Sequence, residues 1–257
     1  MSEAPAPGSA GRYRIRQARA PGDLARAAAL RALAFRGDAA GEDRDALDPL
    51  CRHFMVEEAA TGRLACCFRV LALDSGRAAC GGYAAQFYDL APLAAIRAPV
   101  LELGRFCLAP GAGDPDILRL AWAGLAALVA QTGAAMIFGC SSFPGTDPAA
   151  HAESFALLAE RHLAPAAWRP RCRPDTGRVP LARAAPADPL AGMRAMPPLL
   201  RSYLRLGGRV GDHAVADPDL GTLHVFTGLE IAAIPPRRAA RLRELAGIAL
   251  PAPGTGA

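Results

Sequence analysis

Eight stretches of the chain have the patterns of β-strands, either alternating apolar and polar residues, as at residues 13–16, or short apolar runs, as at residues 134–140. Turn residues such as Thr61-Gly62 and Ser75-Gly76 separate the second, third and fourth stretches. Their close spacing predicts an antiparallel meander. The predicted strands cover residues 13–16, 53–56, 64–73, 82–87, 99–108, 134–140, 214–216 and 222–231.

Four other stretches place apolar residues at the spacing of a helix. Asp114 and Pro115 stand before the second of them, where an N-cap and a first helical residue are expected, and Gly133 suits its end. Asp23 similarly predicts the N-cap of the first helix. The predicted helices cover residues 24–35, 116–131, 149–162 and 198–206.

Strands and helices succeed one another within one unit, which favours a single domain over residues 12–236. Its predicted fold class is α/β, with a mixed, mostly antiparallel central sheet flanked by helices. Residues 36–49, rich in Asp and Gly, are predicted as a loop. We expect residues 1–11 to be a disordered leader and residues 237–257 to be a C-terminal tail.

The 257-residue chain has a formal net charge of +5, and arginine supplies its positive charge. A basic surface suits acidic partners, namely nucleic acid, anionic lipid headgroups or an acidic carrier protein. The basic residues do not form a stripe with interleaved aromatic residues, so we do not expect nucleic acid as a partner.

Seven cysteines, an odd number, occur without a CxxC spacing, and no HExxH sequence is present. This argues against a disulfide framework and a zinc site, and we expect neither a metal nor a bound cofactor. The first residues lack the apolar segment of a signal peptide. No apolar run reaches the roughly 18 residues of a membrane span. The sequence therefore predicts a cytoplasmic protein.

The segment richest in chemistry joins the strand at residues 99–108 to the next helix. Gly111 and Gly113 lie in the connecting loop, and the unpaired N–H groups at a helix start are able to hold a phosphate. Within the strand, Glu102 and Arg105 interrupt an apolar run, and their spacing places them on opposite faces of a regular strand. Catalysis and an ion pair with a neighbouring strand both explain a charge at such a position.

Several sequence blocks resemble one known family. Glu102-Leu103-Gly104-Arg105-Phe106-Cys107 resembles the ELxRFC signature of the ornithine N-acyltransferases that begin ornithine-lipid synthesis. Four further blocks are similar to segments of that family in the same order, and the resemblance spans about residues 24 to 236. They are the stretches YAAQFYDL at 83–90, FGCSSFPGTD at 138–147, MPPLLRSYLRLG at 196–207 and GDHAVADPD at 211–219.

This resemblance implies a GNAT-type N-acyltransferase fold and a cytoplasmic enzyme in peripheral contact with the inner membrane. The implied donor is a 3-hydroxy fatty acyl group on acyl carrier protein, and the implied acceptor is the α-amine of ornithine, which gives lyso-ornithine lipid. The loop at residues 110–114 carries no basic residue, unlike the usual pyrophosphate loop of GNAT enzymes. A single carrier-bound phosphate suits this loop better than free acetyl-CoA.

Amide formation needs a base, a polarised thioester carbonyl and a bound acceptor. Glu102 is the predicted catalytic base. Arg105 is predicted to bind the acceptor's carboxylate, and Asp89 or Asp212 its side-chain ammonium. The region that takes the acyl donor and the oxyanion is predicted to comprise Phe106, Cys107, Leu108, Gly111 and Gly113.

Direct attack of the amine on the thioester needs no enzyme nucleophile, so Cys107 and Cys140 are expected to pack rather than react. His53, His213 and His224 are scattered in the sequence and are expected to be structural or exposed. Three alternative functions stay open at this point. They are an activity like that of acyl-homoserine lactone synthases, an acetyl-CoA-dependent N-acetyltransferase, and a non-enzymatic module that binds acyl carrier protein.

Overall fold

The computed structural model describes residues 9–181 and 185–249. The strands are β1 (Ser9–Ala10), β2 (Tyr13–Gln17), β3 (Arg52–Glu58), β4 (Leu64–Leu73), β5 (Tyr88–Asp89), β6 (Val100–Leu108), β7 (Met136–Pro144), β8 (Arg171–Cys172), β9 (Arg178–Pro180), β10 (Arg209–Asp217) and β11 (Thr222–Glu230). The α-helices are α1 (Pro21–Arg36), α2 (Pro115–Thr132), α3 (Ala152–Arg161), α4 (Pro189–Ala195), α5 (Pro198–Arg205) and α6 (Pro236–Ala249).

The chain divides into two compact units, each with its own sheet strands and helices. The first unit comprises residues 1–71, 103–133 and 236–257, and the second comprises residues 72–102 and 134–235. The division therefore falls within strand β6, between Glu102 and Leu103. The extent of the acyltransferase domain predicted from the sequence, residues 12–236, stays a prediction.

The first unit is built on the strand order β1-β2-β3-β4-β6. The pairings of β1 with β2, β2 with β3 and β3 with β4 are all antiparallel. Helix α2 begins and ends as predicted. The Asp114 carboxylate accepts the N–H of Asp116, Pro115 occupies the first turn, and Gly133 ends the helix in the left-handed conformation.

Both ends of the chain correct the sequence prediction. Ser9–Ala10 form β1 and pair with β2, because Gly11 at φ +58° lets the chain reverse direction within two residues, so this part of the leader is ordered. The predicted tail at residues 237–257 is wrong from its start, because Pro236–Ala249 form helix α6, which packs against α2 and buries Ala246. Residues 1–8 and 250–257 lie outside the described residues.

The start of helix α1 also differs from the prediction. The helix begins at Pro21, whose fixed φ suits the first turn, so Ala20 rather than Asp23 is the N-cap. Asp23 lies within the first turn. Its carboxylate accepts the backbone N–H of Arg19 and forms an ion pair with Arg16.

The second unit is built on the strand order β6-β7-β11-β10-β9, with β5 and β8 as a separate antiparallel pair. The pairings of β7 with β11, β11 with β10 and β10 with β9 are antiparallel. Parallel bridges join Gly145 to Thr222 and Leu163 to Val210. The predicted α/β class with a mixed, mostly antiparallel sheet and flanking helices is therefore confirmed.

The predicted strand at residues 82–87 is wrong. This segment follows one 3₁₀ helix at Gly76–Gly81 and contains a second at Ala84–Gln86, and only Tyr88–Asp89 pair as a strand. The N–H groups of Tyr83 and Ala84 donate to the Glu102 side chain instead of to a neighbouring strand. Ala84, Ala85 and Tyr88 bury their side chains in an apolar cluster with Phe138 and Phe226.

Candidate active site

Glu102 lies on β6 in the second unit and is 4% exposed. Its Oε2 accepts the backbone N–H of Tyr83 at 2.9 Å, and its Oε1 accepts that of Ala84 at 2.6 Å. These donors stand at the start of a 3₁₀ helix, where N–H groups lack partners within the helix. The predicted base is therefore held by fixed backbone donors.

Gly82 makes this arrangement possible. A Cβ atom built at residue 82 would lie 2.1 Å from Oε2 of Glu102, closer than any real contact. The backbone of the segment can approach the carboxylate only because residue 82 has no side chain.

The same segment contacts a buried polar face on β10 and β11. The Tyr83 hydroxyl donates to Oδ2 of Asp217 at 3.3 Å. The Tyr88 hydroxyl lies 2.8 Å from the carbonyl oxygen of His224 and 3.1 Å from its Nδ1. His213 and His224 contact the same Tyr88 ring, at centroid distances of 5.2 and 5.6 Å.

Burial lowers the pKa of His224 to about 4, and the nearby Asp217 opposes this shift. His224 is therefore neutral at physiological pH. In His213, Nδ1 lies 2.6 Å from Oδ1 of Asp212, whose side chain is 41% exposed. The structure thus brings together two histidines that the sequence treats as scattered.

Asp89 and Asp212, the residues predicted to bind an ammonium, both have partners in the second unit. Oδ1 of Asp89 accepts the N–H of Ala91 at 3.0 Å, next to the 3₁₀ helix Ala91–Ala95. Asp212 lies in an irregular part of β10, between Val210 and Ala214, and pairs with His213. Their binding role stays a prediction.

Arg105 lies on the part of β6 that belongs to the first unit. Its φ of +52° is left-handed, and no other non-glycine residue among those the structure describes has such a backbone. For an arginine this conformation is strained by about 1 kcal/mol or more. Its guanidinium forms ion pairs of 3.1 Å with Asp43 and with Asp45.

These ion pairs belong to a larger arginine–aspartate cluster, in which three arginines meet three aspartates of the segment at residues 37–50. Arg31 contacts Asp43 at 2.8 Å and Asp48 at 2.7 Å. Burial opposes ionisation of Asp48, but hydrogen bonds from Arg31 and Arg69 lower its pKa to about 2. The members of the cluster are Arg31, Arg69, Arg105, Asp43, Asp45 and Asp48.

The predicted donor region continues along β6 into α2. Phe106 stacks on Phe68 with ring centroids 5.5 Å apart. Cys107 lies with its Sγ 3.5 Å from Sγ of Cys67, and this hydrogen bond together with burial raises the pKa of its thiol well above the ordinary value. Cys107 is therefore a neutral thiol, a poor nucleophile. Leu108 is half-buried.

The loop after β6 presents acidic rather than basic groups at the start of α2. Gly111 adopts a left-handed conformation at φ +76°, and Gly113 lies next to Asp114. Asp116 lies in the first turn and pairs with Arg119 at 3.0 Å. The predicted role of Gly111 and Gly113 in binding the acyl donor stays a prediction.

Sequence reasoning missed Asp217, although it lies in a block that carries the family resemblance. Asp217 pairs with Thr222 and Val215 pairs with His224, so these side chains share one face of the hairpin. The alternation of side chains along a single strand could have identified this face. Which residues lie opposite depends on the register of the hairpin, and one strand alone does not reveal it.

Comparison with known proteins defines the class. Residues 30–123 match the family described as the acetyltransferase (GNAT) domain, which confirms the GNAT-type fold. A protein of Rhodobacter capsulatus named L-ornithine N(alpha)-acyltransferase is 35% identical over 189 residues, 72% of this chain and 73% of that protein. One of the same name from Brucella abortus is 33% identical over 205 residues, covering 76% of this chain and 72% of that protein.

The chain belongs to the family of L-ornithine N(alpha)-acyltransferases, as its sequence blocks predicted, and is an acyltransferase. An N-acyl amino acid synthase from uncultured soil microbes, known from a solved structure, is 12% identical with a TM-score of 0.43, covering 93% of this chain and 97% of that chain. Within the part of the chain that the structure describes, no helix is both long and apolar enough to cross a membrane.

Proposed function

We propose that this protein transfers a 3-hydroxy fatty acyl group from acyl carrier protein to the α-amine of ornithine, giving lyso-ornithine lipid. The acceptor follows from the relatives named L-ornithine N(alpha)-acyltransferase, which are 31–35% identical to this chain. The observation that carries the chemistry is the Glu102 carboxylate, buried on β6 and held by two backbone N–H groups.

In the proposed reaction, Glu102 takes a proton from the α-ammonium, directly or through water. The free amine attacks the thioester carbonyl, a C–N bond forms, and the C–S bond of the carrier thioester breaks. The carrier leaves as a thiolate and takes up the proton that the nitrogen loses as the amide forms. The neutral thiol of Cys107 supports direct transfer without an acyl-cysteine intermediate.

The start of α2 supports a carrier-bound donor over free acetyl-CoA. Asp114 and Asp116 place two carboxylates at this helix start, and the nearby Arg119 already pairs with Asp116. The additional phosphates of CoA would meet these negative charges. A carrier protein presents only one phosphate on its pantetheine arm.

Helix α6 supports docking of an acidic partner. Four arginines on this helix are exposed, and Glu244 is the acidic residue among them. Such a surface attracts an acidic carrier protein and anionic headgroups, which also supports peripheral contact with the inner membrane. The arginines are Arg237, Arg238, Arg241 and Arg243.

The test is acylation by the purified protein with 3-hydroxyacyl carrier protein and a panel of amino acids, read by mass spectrometry. We expect an ornithine amide acylated on the α-nitrogen and little product from acetyl-CoA. A product of homoserine lactone type, or equal use of acetyl-CoA, would overturn the proposal.

A further inference from the structure

Three buried polar atoms on one side of the β10–β11 hairpin have no hydrogen-bond partner among the described residues. They are Nε2 of His213, Nε2 of His224 and Oγ1 of Thr222. His213 and His224 are 0% and 1% exposed. Buried polar atoms without a partner are rare in proteins, so a group of three on one surface points to a bound ligand.

Asp217 lies on the same face and carries a buried negative charge. It is 4% exposed and accepts hydrogen bonds from the Tyr83 hydroxyl and the Leu220 N–H. Within the described residues, no arginine or histidine lies within ion-pairing distance of it. A buried carboxylate that has only neutral donors is unstable unless a cation compensates it.

The hydrogen-bond network assigns the protons of the two histidines. The single hydroxyl proton of Tyr88 goes to the carbonyl oxygen of His224, so Nδ1 of His224 carries a proton and Nε2 presents a lone pair. Nδ1 of His213 donates to the carboxylate of Asp212, and its Nε2 is one of the buried atoms without a partner among the described residues. The face therefore offers the Asp217 anion and the lone pair of His224, with Nε2 of His213 on the same side.

We propose that this face, formed by Asp217, His213 and His224, binds the side-chain ammonium of the amino acid acceptor. An ammonium group carries one positive charge and three N–H donors, which suit the buried carboxylate of Asp217 and the lone pair on Nε2 of His224. This inference rests on the proposed function and assigns the ammonium to Asp217 rather than to Asp89 or Asp212.

The span of Tyr83 matches the distance between the two amino groups of the acceptor. Its backbone N–H binds Glu102 and its hydroxyl binds Asp217, so one tyrosine separates the proposed base from the proposed ammonium site. The backbone nitrogen and hydroxyl oxygen of a tyrosine are about 7 Å apart from ordinary bond lengths. The two amino nitrogens of extended ornithine are about 6 Å apart. An α-amine at Glu102 thus places the ammonium of ornithine's three-carbon side chain near Asp217.

The test compares ornithine with norvaline, which has the same carbon chain without the side-chain ammonium. The variants are Asp217→Asn and His224→Phe, and Asp219→Asn is the control because it removes an exposed carboxylate two residues away. We measure kcat/KM for both acceptors and calorimetric binding of both without donor. We expect Asp217→Asn to reduce the preference for ornithine roughly a hundredfold and His224→Phe roughly tenfold, and Asp219→Asn to leave it unchanged.

Thermal unfolding separates this role from a structural one. Asp217→Asn removes an uncompensated buried charge, so its Tm should equal or exceed that of the wild type. Ornithine should raise the Tm of the wild type but not of this variant. A merely structural Asp217 would instead give a lower Tm and an unchanged acceptor preference.

Four outcomes distinguish failure of the inference from failure of the proposed function. Unchanged ornithine preference in both variants would show that these atoms hold water, and the proposed function would stand without the inference. Loss of preference only in Asp89→Asn or Asp212→Asn would place the ammonium at that residue. Asp217-dependent binding of ornithine without acylation would support the inference and overturn the proposed function. If the wild type neither binds nor acylates ornithine, both fail.

Discussion

The backbone N–H of Tyr83 donates to Oε2 of Glu102 across a sequence separation of 19 residues. Because this donor belongs to the backbone, its position follows from the path of the chain rather than from a side-chain rotamer. Glu102 can therefore exchange a proton without turning away from its site, which suits a general base.

Replacing Glu102 with Gln should lower kcat roughly a hundredfold, the usual contribution of a general base. The variant should also lose stability, because one backbone N–H would then face an amide NH₂ group instead of an oxygen. The measurement is kcat together with the Tm of each variant.

Gly82→Ala is the matched variant, since it keeps the Glu102 carboxylate but places a Cβ 2.1 Å from its Oε2. We expect kcat to fall here too, through displacement of the base. Near-normal turnover by Glu102→Gln would remove Glu102 from the mechanism.

The sequence predicts that Arg105 binds the acceptor's carboxylate through its fork of N–H groups. Arg105→Lys should then raise the KM for ornithine about tenfold, because lysine cannot make two parallel hydrogen bonds. Arg69→Lys is the control, since Arg69 pairs with Asp45 and Asp48 in the same cluster. If both variants raise the KM equally, Arg105 acts only through the cluster.

Asp48 makes the first unit sensitive to acid. Its pKa is about 2 in the folded protein against an ordinary value of 3.8. A carboxylate with a lowered pKa stabilises the fold fully above its ordinary pKa, and this stability is lost as the pH falls through 3.8 towards 2. The contribution is about 2 kcal/mol.

Fluorescence of Trp122 can follow this transition, because Trp122 lies in the first unit and Trp168 in the second. Urea unfolding of a Trp168→Phe protein should show that the free energy of unfolding falls between pH 5 and pH 2. Asp48→Asn should be less stable at pH 5 and show a flatter dependence on pH. An equally steep dependence in that variant would assign the acid transition to other carboxylates.

Reversal of charge on α6 should weaken use of the carrier-bound donor. Arg237→Glu with Arg241→Glu should raise the KM for acyl carrier protein about tenfold at low salt and reduce its salt dependence. Arg205→Glu, an exposed change on α5, is the control. An unchanged KM in the α6 variant would show that the carrier docks elsewhere.

Local signals predicted much of the fold correctly. The bounds of α2 follow from Asp114, Pro115 and Gly133, which act within a few residues of themselves. The segment at residues 82–87 was mispredicted because its N–H donors go to Glu102, a partner that no local pattern reveals. Helix α6 was missed because arginines interrupt its apolar residues, and its stability comes from packing on α2.

The site could be predicted only in part, because local patterns do not reveal contacts between residues that are distant in the sequence. Glu102 and Arg105 stood out as charges inside an apolar strand. Asp217 and His224 became a pair only through the register of β10 with β11. The unusual backbone of Arg105 and its ion pairs with Asp43 and Asp45 depend on a segment 60 residues away.

The segment at residues 37–50 has no regular secondary structure except a 3₁₀ helix at Asp48–Leu50. Three of its aspartates are held by arginines from α1, β4 and β6, so charge pairing rather than apolar burial keeps it in place. Protonation of Asp45 and Asp48, whose pKa values are lowered, against the effect of burial, by their arginine partners, would release it while the apolar core stays folded. Its peptide bonds are then the first in this unit that a protease active at low pH would cut.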